Sequence, residues 1–330
     1  MNRLPIRLLR FLVLAMLLIS ILPARAQQSV VQLPDIYVTS DNYSIHVSHK
    51  AGAQPSKVPV LLIHGSWVNS QTWDFPGRSV MDYLAVRGYD VYAVDLRGMG
   101  DSDNPGYANI DIFNRVHDAT AAANYIKMTT LRRPVVMGWS EGGWIAGLLA
   151  ASDPNGQLIA GVGLLSVSPN GFVVPSFPDL QFSLRTILTT GATSFLPTPN
   201  EVNEIVFGTD PITGKPTISG DALSTFVSVP QFLELDSVKA VFEEVDICAV
   251  LLGSPNACPM PNWSNIHVPA LVVDGSLDPL VGEELSEELF NALGSTNKQL
   301  IVFPRNSHGW FLEDNHHATM RVFDHFLSQF

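Results

Sequence analysis

Cysteine is nearly absent from this 330-residue chain, which has only Cys248 and Cys258. No histidine or acidic cluster accompanies them at ligand spacing, so the sequence offers no cysteine-based metal centre. Nine residues separate the two, in CAVLLGSPNAC. In an exported protein this short loop favours a Cys248–Cys258 disulfide over two buried thiols. In the loop-entropy account such a bridge contributes about 2–3 kcal/mol.

Positive charge is also scarce, with 19 Lys and Arg residues against 31 Asp and Glu residues. A surface with this excess of negative charge repels phosphate backbones, which argues against a nucleic-acid partner. The glycine-rich GWSEGG at 138–143 lacks the G-x-G-x-x-G spacing of a dinucleotide loop. The sequence therefore gives no reason to expect a nucleotide, flavin or metal cofactor.

Only one long apolar run is present, and it lies near the first residue. Three arginines precede the 12-residue run FLVLAMLLISIL, and ARA follows it before Gln27. This layout predicts a secretory signal peptide over residues 1–26, with an uncleaved membrane anchor as the alternative. Cleavage would leave 15 basic and 31 acidic residues, a net charge of −16. We therefore expect a secreted or periplasmic protein without stable membrane anchoring.

Compact apolar runs alternate with segments of helical periodicity along the rest of the chain. This alternation is typical of an α/β fold with a mostly parallel sheet between helices. A polar–apolar alternation at 35–40 and 43–49 predicts an exposed antiparallel hairpin before it. The expected core strands are 58–64, 89–95, 133–139, 159–166, 269–275 and 298–304, and the expected helices are 79–88, 114–128, 141–152, 283–294 and 317–330.

One interval interrupts this alternation. Nearly a hundred residues separate the strands predicted at 159–166 and 269–275, and they are rich in phenylalanine and proline. A structureless loop of that length is improbable inside a compact domain. We therefore predict a mainly helical cap inserted at 169–267, between two parts of one core domain, 27–168 and 268–330.

Ser140 lies in the sequence VVMGWSEGGWIAG, which contains G-x-S-x-G. An apolar strand before the motif and a helical pattern after it supply the strand–turn–helix context of a nucleophilic serine. Glycines at such a turn let neighbouring backbones approach a residue held in a strained conformation. The sequence therefore predicts Ser140 as a nucleophile at the carboxyl edge of the sheet.

With four further motifs, GWSEG resembles the α/β-hydrolase superfamily, in particular its serine esterases and lipases with an inserted cap. LLIHGSW at 61–67 is similar to the His-Gly oxyanion loop of that family, and DLRGMGDS at 95–102 is similar to its Asp-x-Arg-Gly turn. DGSLDPLV at 274–281 and NSHGWF at 306–311 resemble its acid-bearing turn and its histidine loop. The order Ser, Asp, His is the one this family uses.

The resemblance implies a catalytic triad of Ser140, Asp278 and His308. A histidine must remove the serine proton, and a carboxylate must hold the tautomer of that histidine. Asp274 and Asp246 remain alternative carboxylates. Among the other histidines, His64 is expected to form structural hydrogen bonds, and His316 and His317 are expected at the start of the last helix.

The oxyanion of a tetrahedral intermediate needs preorganised donors. The backbone N–H of Glu141 is expected to be one, and Ser66 is expected to supply the other, with Trp67 as the second choice. The side chain of Glu141 is expected to be solvated or to act as a cap, because a carboxylate beside the oxyanion would oppose catalysis. Asp95, Arg97 and Ser102 are expected to fix their turn.

The resemblance implies a hydrolase that cleaves a carboxylic ester through an acyl-enzyme. The aromatic stretch 172–199 favours a substrate with a bulky apolar group, either a small molecule or part of a polymer. Carbon–carbon bond hydrolysis, lactone hydrolysis and thioester hydrolysis use the same triad and remain alternatives. A protein that kept the fold only for binding is a remote alternative. The sequence does not predict an oligomeric state.

Overall fold

The computed structural model describes residues 29–66, 68–105, 110–170, 202–228 and 260–330. The predicted signal peptide, Trp67, Asp246 and both cysteines lie outside these residues. None of the helices within the described ranges has the length and apolar character needed to cross a membrane.

One sheet organises the described part of the chain. Its nine strands are β1 (Val30–Gln32), β2 (Ile36–Ser40), β3 (Tyr43–Gly52), β4 (Pro59–Ile63), β5 (Asp90–Val94), β6 (Val135–Trp139), β7 (Gly161–Leu165), β8 (Ala270–Gly275) and β9 (Lys298–Phe303). The order is β1-β3-β5-β4-β6-β7-β8-β9, with β2 paired to β3. Strands β5, β4, β6, β7, β8 and β9 are parallel to one another, whereas β1, β2 and β3 pair antiparallel. The predicted mostly parallel α/β architecture is confirmed.

Helices cover both faces of the sheet. The described α-helices are α1 (Val80–Ala85), α2 (Ile112–Thr130), α3 (Glu141–Ser152), α4 (Gly220–Ser228), α5 (Gly282–Ala292), α6 (His316–Thr319) and α7 (Arg321–Leu327). Alternate side chains of a strand point to opposite faces, so a strand covered on both sides must be apolar throughout. In β4, Val60 and Leu62 pack in the core with α1 and α7, while Leu61 and Ile63 pack in the core with α2 and α3.

The predicted hairpin at 35–40 and 43–49 forms as β2 and β3, but the prediction that it is exposed is wrong. β3 pairs on its other edge with β5 and thereby joins the main sheet. Ile45 and Val47 are completely buried in it. The single helix predicted at 317–330 is also divided, because Met320 separates α6 from α7.

The interval between β7 and β8 contains several described elements. A π-helical turn at Asn203–Phe207 and α4 bury apolar side chains against the same core as α1 and α7. Trp263 belongs to a 3₁₀ turn near the end of the interval and lies in the core beneath Gly147 of α3. The predicted cap at 169–267 therefore includes residues that pack in the core, and most of its remainder lies outside the described residues.

Candidate active site

Ser140 lies between β6 and α3, at the carboxyl edge of the sheet. Its backbone has φ 57° and ψ −124°, a conformation that non-glycine residues rarely adopt. The N–H of Ser140 donates to the carbonyl of Leu165 at 2.8 Å, which connects the turn to the end of β7. The local backbone is thus held in a strained conformation by its neighbours.

Close packing around this turn explains its glycines. A Cβ on Gly138 would overlap the carbonyl oxygen of Gly142, and a Cβ on Gly142 would overlap the carbonyl oxygen of His64. A Cβ on Gly65 would lie 3.1 Å from the Cβ of Ser140. The first turn of α3 therefore packs directly on the loop after β4, and only glycine fits at 138 and 142.

His308 lies in the loop after β9 and is buried. Its carbonyl accepts hydrogen bonds from the Trp139 indole at 2.9 Å and from the Ser166 hydroxyl at 3.1 Å. Trp139 immediately precedes Ser140, and its ring centroid lies 5.4 Å from that of His308. The ends of β6 and β7 therefore fix the backbone of the histidine loop beside the serine turn.

Asp278 follows β8 and contacts the histidine directly. Its Oδ2 lies 2.7 Å from Nδ1 of His308, and its Oδ1 accepts the N–H groups of Leu280 and Val281 at 2.7 and 3.1 Å. Burial alone would raise the pKa of Asp278, but His308 and these hydrogen bonds hold the pKa below its usual value. An ionised Asp278 can therefore orient the imidazole with a proton on Nδ1.

Asp274, the alternative acid, has different partners. Its carboxyl group accepts from the hydroxyls of Ser166 and Ser286, both at 3.0 Å, and from the N–H of Gly275 at 2.8 Å. Burial and the neighbouring Asp278 raise the pKa of Asp274 well above its usual value. A protonated Asp274 beside Asp278 avoids two adjacent buried negative charges.

The loop after β4, which the sequence predicts to be the oxyanion loop, contains His64, Gly65 and Ser66. His64 Nε2 accepts the N–H of Leu96 at 3.1 Å, while its Nδ1 donates to the carbonyl of Gly65 at 2.8 Å. Burial lowers the pKa of His64, which agrees with a neutral ring that donates on one side and accepts on the other. His64 thus forms the structural hydrogen bonds expected from the sequence.

The side chain of Glu141 does not have the solvated position expected from the sequence. It is only 3% exposed, and its Oε1 lies 2.5 Å from Nη1 of the buried Arg115. Its Oε2 accepts the hydroxyl of Ser66 at 2.9 Å. The expectation was wrong because α2 supplies a buried cation for this carboxylate. Arg115 lies at helical spacing from Ile112 and Ala119 on the buried face of α2, and this spacing in the sequence could have indicated that Arg115 is buried.

The turn after β5 is held by buried polar groups. Asp95 accepts from Ser70 N–H at 2.7 Å, and Ser102 donates to the Asp95 carbonyl at 2.6 Å. Arg97 donates to Asp118, which lies on the buried face of α2. These contacts agree with the structural role expected for Asp95, Arg97 and Ser102.

One possible cation site occurs within the described ranges, where ligand atoms of His46, Asp95 and Asp101 lie within 4.8 Å of one another. Nδ1 of His46 lies 2.7 Å from Asp95, whose oxygens also accept backbone N–H groups. Burial lowers the pKa of His46, but the carboxylates of Asp95 and Asp35 outweigh burial, so that the pKa lies above its usual value. The Asp95 oxygens already accept hydrogen bonds from His46, Ser70 and Asp101, which fits a structural role better than a metal site.

Comparisons with known proteins agree with this architecture. Among solved structures, an enol-lactonase from Burkholderia xenovorans LB400 is similar at 18% identity with a TM-score of 0.68, over 89% of this chain and 100% of that chain. An esterase from Exiguobacterium antarcticum has 18% identity and a TM-score of 0.66 over 89% and 100%. A thermophilic esterase from Thermogutta terrifontis has 17% identity and a TM-score of 0.63 over 90% and 99%.

At these identities the solved structures establish a shared fold. The sequence profile of the alpha/beta hydrolase family matches residues 60–322, which includes the serine turn, the acid-bearing turn and the histidine loop. The chain therefore belongs to the alpha/beta hydrolase family.

Proposed function

We propose that this protein is a serine hydrolase that cleaves a carboxylic ester through an acyl-enzyme. Ser140 is the nucleophile, His308 the acid and base, and Asp278 the partner of the histidine. The observation that carries the proposal is the 2.7 Å contact between His308 and Asp278. Trp139, the residue before Ser140, donates its indole N–H to the carbonyl of His308 and so holds this pair beside the serine turn. The positive φ of Ser140 supports its role as a nucleophile on a strained turn.

In the first half of the reaction, His308 Nε2 accepts the proton of Ser140 as Oγ attacks the ester carbonyl. Asp278 stabilises the imidazolium that forms. The carbon–oxygen bond to the alcohol then breaks, and His308 returns the proton to the leaving alkoxide. In the second half, His308 takes a proton from water as the water oxygen attacks the acyl carbon. The bond between that carbon and Oγ then breaks, His308 returns the proton to Oγ, and the acid and a free Ser140 are released.

The oxyanion would accept hydrogen bonds from the backbone N–H groups of Glu141 and Ser66. Glu141 is the first residue of α3, and the first N–H groups of a helix have no partner within it. The positive end of the helix dipole favours negative charge at the same place. Trp67, the second choice for a donor, lies outside the described residues.

We propose a bulky apolar group on the substrate. The phenylalanine-rich stretch 172–199 that suggests it lies outside the described residues, but neighbouring parts of the insertion support it. The N–H of Gly309 donates to the carbonyl of Val206 at 2.8 Å, and a Cβ on Gly309 would lie 2.6 Å from the Phe207 ring. The insertion therefore places apolar side chains directly against the loop of His308.

We also propose export through the signal peptide at residues 1–26, which rests on the sequence pattern alone. Fractionation of the native host, followed by N-terminal sequencing, tests this proposal. A mature chain that begins near Gln27 outside the cytoplasm is expected. A full-length chain retained with the membrane fraction would instead support the uncleaved anchor.

The reaction is tested with nitrophenyl esters of graded chain length, aromatic esters, thioesters, lactones and a diketone. We expect turnover of esters that improves with apolar bulk and is lost in Ser140→Ala. Ser56→Ala, at an exposed serine, is the matched control and is expected to keep full activity. Turnover confined to the lactones, thioesters or diketone would identify the corresponding alternative reaction.

A fluorophosphonate probe separates an enzyme from a binding protein. Labelling of the folded wild-type protein that disappears in Ser140→Ala supports the hydrolase. Absence of labelling, or labelling that is unchanged in Ser140→Ala, would overturn the proposed nucleophile and favour a protein that uses the fold for binding.

A further inference from the structure

The carboxylate of Glu141 bridges two elements on either side of the serine turn. Its Oε2 accepts the hydroxyl of Ser66 in the oxyanion loop at 2.9 Å, and its Oε1 accepts Nη1 of Arg115 on α2 at 2.5 Å. A single side chain, directly after the proposed nucleophile, therefore connects the oxyanion loop to α2.

Burial makes the two charges dependent on each other. Glu141 is 3% exposed and Arg115 is 1% exposed. Within the described ranges, Nε and Nη2 of Arg115 have no hydrogen-bond partner, so Glu141 is the acceptor that its guanidinium binds. A buried charge without its counterion is strongly unfavourable, and each member of this pair compensates the other.

The pair lies where charge would develop during ester hydrolysis. Gly142 packs against the carbonyl of His64, and Gly65 approaches the Cβ of Ser140. The oxyanion loop and the first turn of α3 are therefore in backbone contact. An unpaired carboxylate at Glu141 would repel the oxyanion bound at this junction, and Arg115 cancels that charge.

We propose that Glu141 and Arg115 are positioning residues of the oxyanion hole. The Glu141 carboxylate fixes Ser66 through its hydroxyl, so that the backbone of the oxyanion loop is aligned before the substrate arrives. Arg115 removes the electrostatic penalty of placing that carboxylate beside the oxyanion. The inference rests on the proposed ester hydrolase function and assigns to these side chains an effect on the transition state rather than on substrate binding.

Arg115→Met is the first test, measured on the best nitrophenyl ester found for the wild-type protein. We expect kcat to fall by about tenfold or more, up to the roughly 10²–10³-fold loss that removal of a whole oxyanion donor causes, with little change in KM. Inhibition by a boronic acid, which forms a tetrahedral anion on the serine, should weaken in parallel. Arg321→Met, at an exposed arginine, is the matched control.

The double variant Arg115→Met/Glu141→Gln separates charge from folding. Glutamine keeps an oxygen that can accept the Ser66 hydroxyl and removes the negative charge. We expect the double variant to recover kcat and boronate affinity relative to Arg115→Met alone. Recovery of the unfolding temperature without recovery of these two quantities would mean that the pair has only a structural role.

Ser66→Ala tests the other end of the bridge without touching the buried ion pair. We expect a lower kcat at unchanged KM, and restoration by Ser66→Thr, which keeps a hydroxyl. A kcat equal to wild type in Ser66→Ala would overturn the proposal, as would effects of all these variants on KM alone. Ester turnover by the wild-type protein and its fluorophosphonate labelling test the proposed function separately, so failure of one is distinguishable from failure of the other.

Discussion

Nδ1 of His308 lies 2.7 Å from Oδ2 of Asp278, and Asp278 is fixed in turn by the N–H groups of Leu280 and Val281. The carboxylate therefore has one oxygen bound to its own turn and the other turned to the imidazole. This arrangement holds the histidine tautomer that leaves Nε2 unprotonated. It also predicts that the two neighbouring aspartates differ in their effect on catalysis.

Asp278→Asn should reduce kcat by about 10³–10⁴-fold, because an amide can favour the wrong histidine tautomer and cannot stabilise the imidazolium. Asp274→Asn should reduce kcat much less, because burial and Asp278 already favour the neutral form of Asp274. The measurement is kcat and KM for both variants on the same ester. A larger loss in Asp274→Asn would show that Asp274 is the functional acid.

Replacement of Ser140 separates backbone strain from chemistry. Ser140→Ala and Ser140→Gly should both be inactive, since both lack the hydroxyl. Glycine tolerates φ 57° whereas alanine does not, so Ser140→Gly should be the more stable of the two by about 1 kcal/mol. Urea unfolding of the two variants checks this, and equal or lower stability of Ser140→Gly would contradict the presence of strain.

Glu313 should make the stability of the protein fall as pH rises towards neutrality. Burial raises the pKa of Glu313 to about 7. The hydrogen bonds that Glu313 accepts from Ser307 N–H, Thr217 and Asn306 lower the pKa, but by less than burial raises it. A carboxyl group with a raised folded-state pKa binds more protons when folded. Its contribution to stability is therefore present below the unfolded pKa of 4.5 and is lost as pH rises to about 7.

Glu313→Gln removes this titration. Between pH 4 and pH 8, the free energy of unfolding of the wild type should fall by about 3 kcal/mol more than that of the variant. All other titrating groups are common to both proteins and cancel in the comparison. Identical pH profiles for the two proteins would show that Glu313 has an ordinary pKa in the folded state.

The disulfide between Cys248 and Cys258 stays a prediction from the sequence, because both residues lie outside the described ranges. Alkylation of the denatured, exported protein should add no alkyl group before reduction and two after it, as measured by mass spectrometry. The Cys248→Ser/Cys258→Ser variant should lose about 2–3 kcal/mol of stability. Two alkyl groups without reduction would show that the thiols are free.

Several elements were predictable because their signals are local. The continuous apolar runs at β4, β6, β7 and β8 predict strands covered on both faces, and the structure confirms them. The glycines around Ser140 predict a tight strand-to-helix turn, and the backbone at Ser140 has the expected unusual φ. In each case the pattern and its consequence involve neighbouring residues.

Other features were not accessible in this way. The choice between Asp274 and Asp278 depends on which carboxylate the turn after β8 presents to a loop 30 residues later. The burial of Glu141 depends on Arg115, which lies 26 residues earlier on a different helix. The family resemblance implied Asp278 as the partner of His308, and helical spacing could indicate that Arg115 is buried, but no local spacing connects either residue to its partner.

The sequence by itself determined the alternation of the core strands and helices along the chain and the turn at Ser140, because periodicity and turn chemistry act over a few neighbouring positions. Tertiary structure alone decided which of these residues meet and how each charge is compensated. Hydrogen bonds and buried ion pairs form between groups that packing brings together, and that packing depends on contacts far apart along the chain.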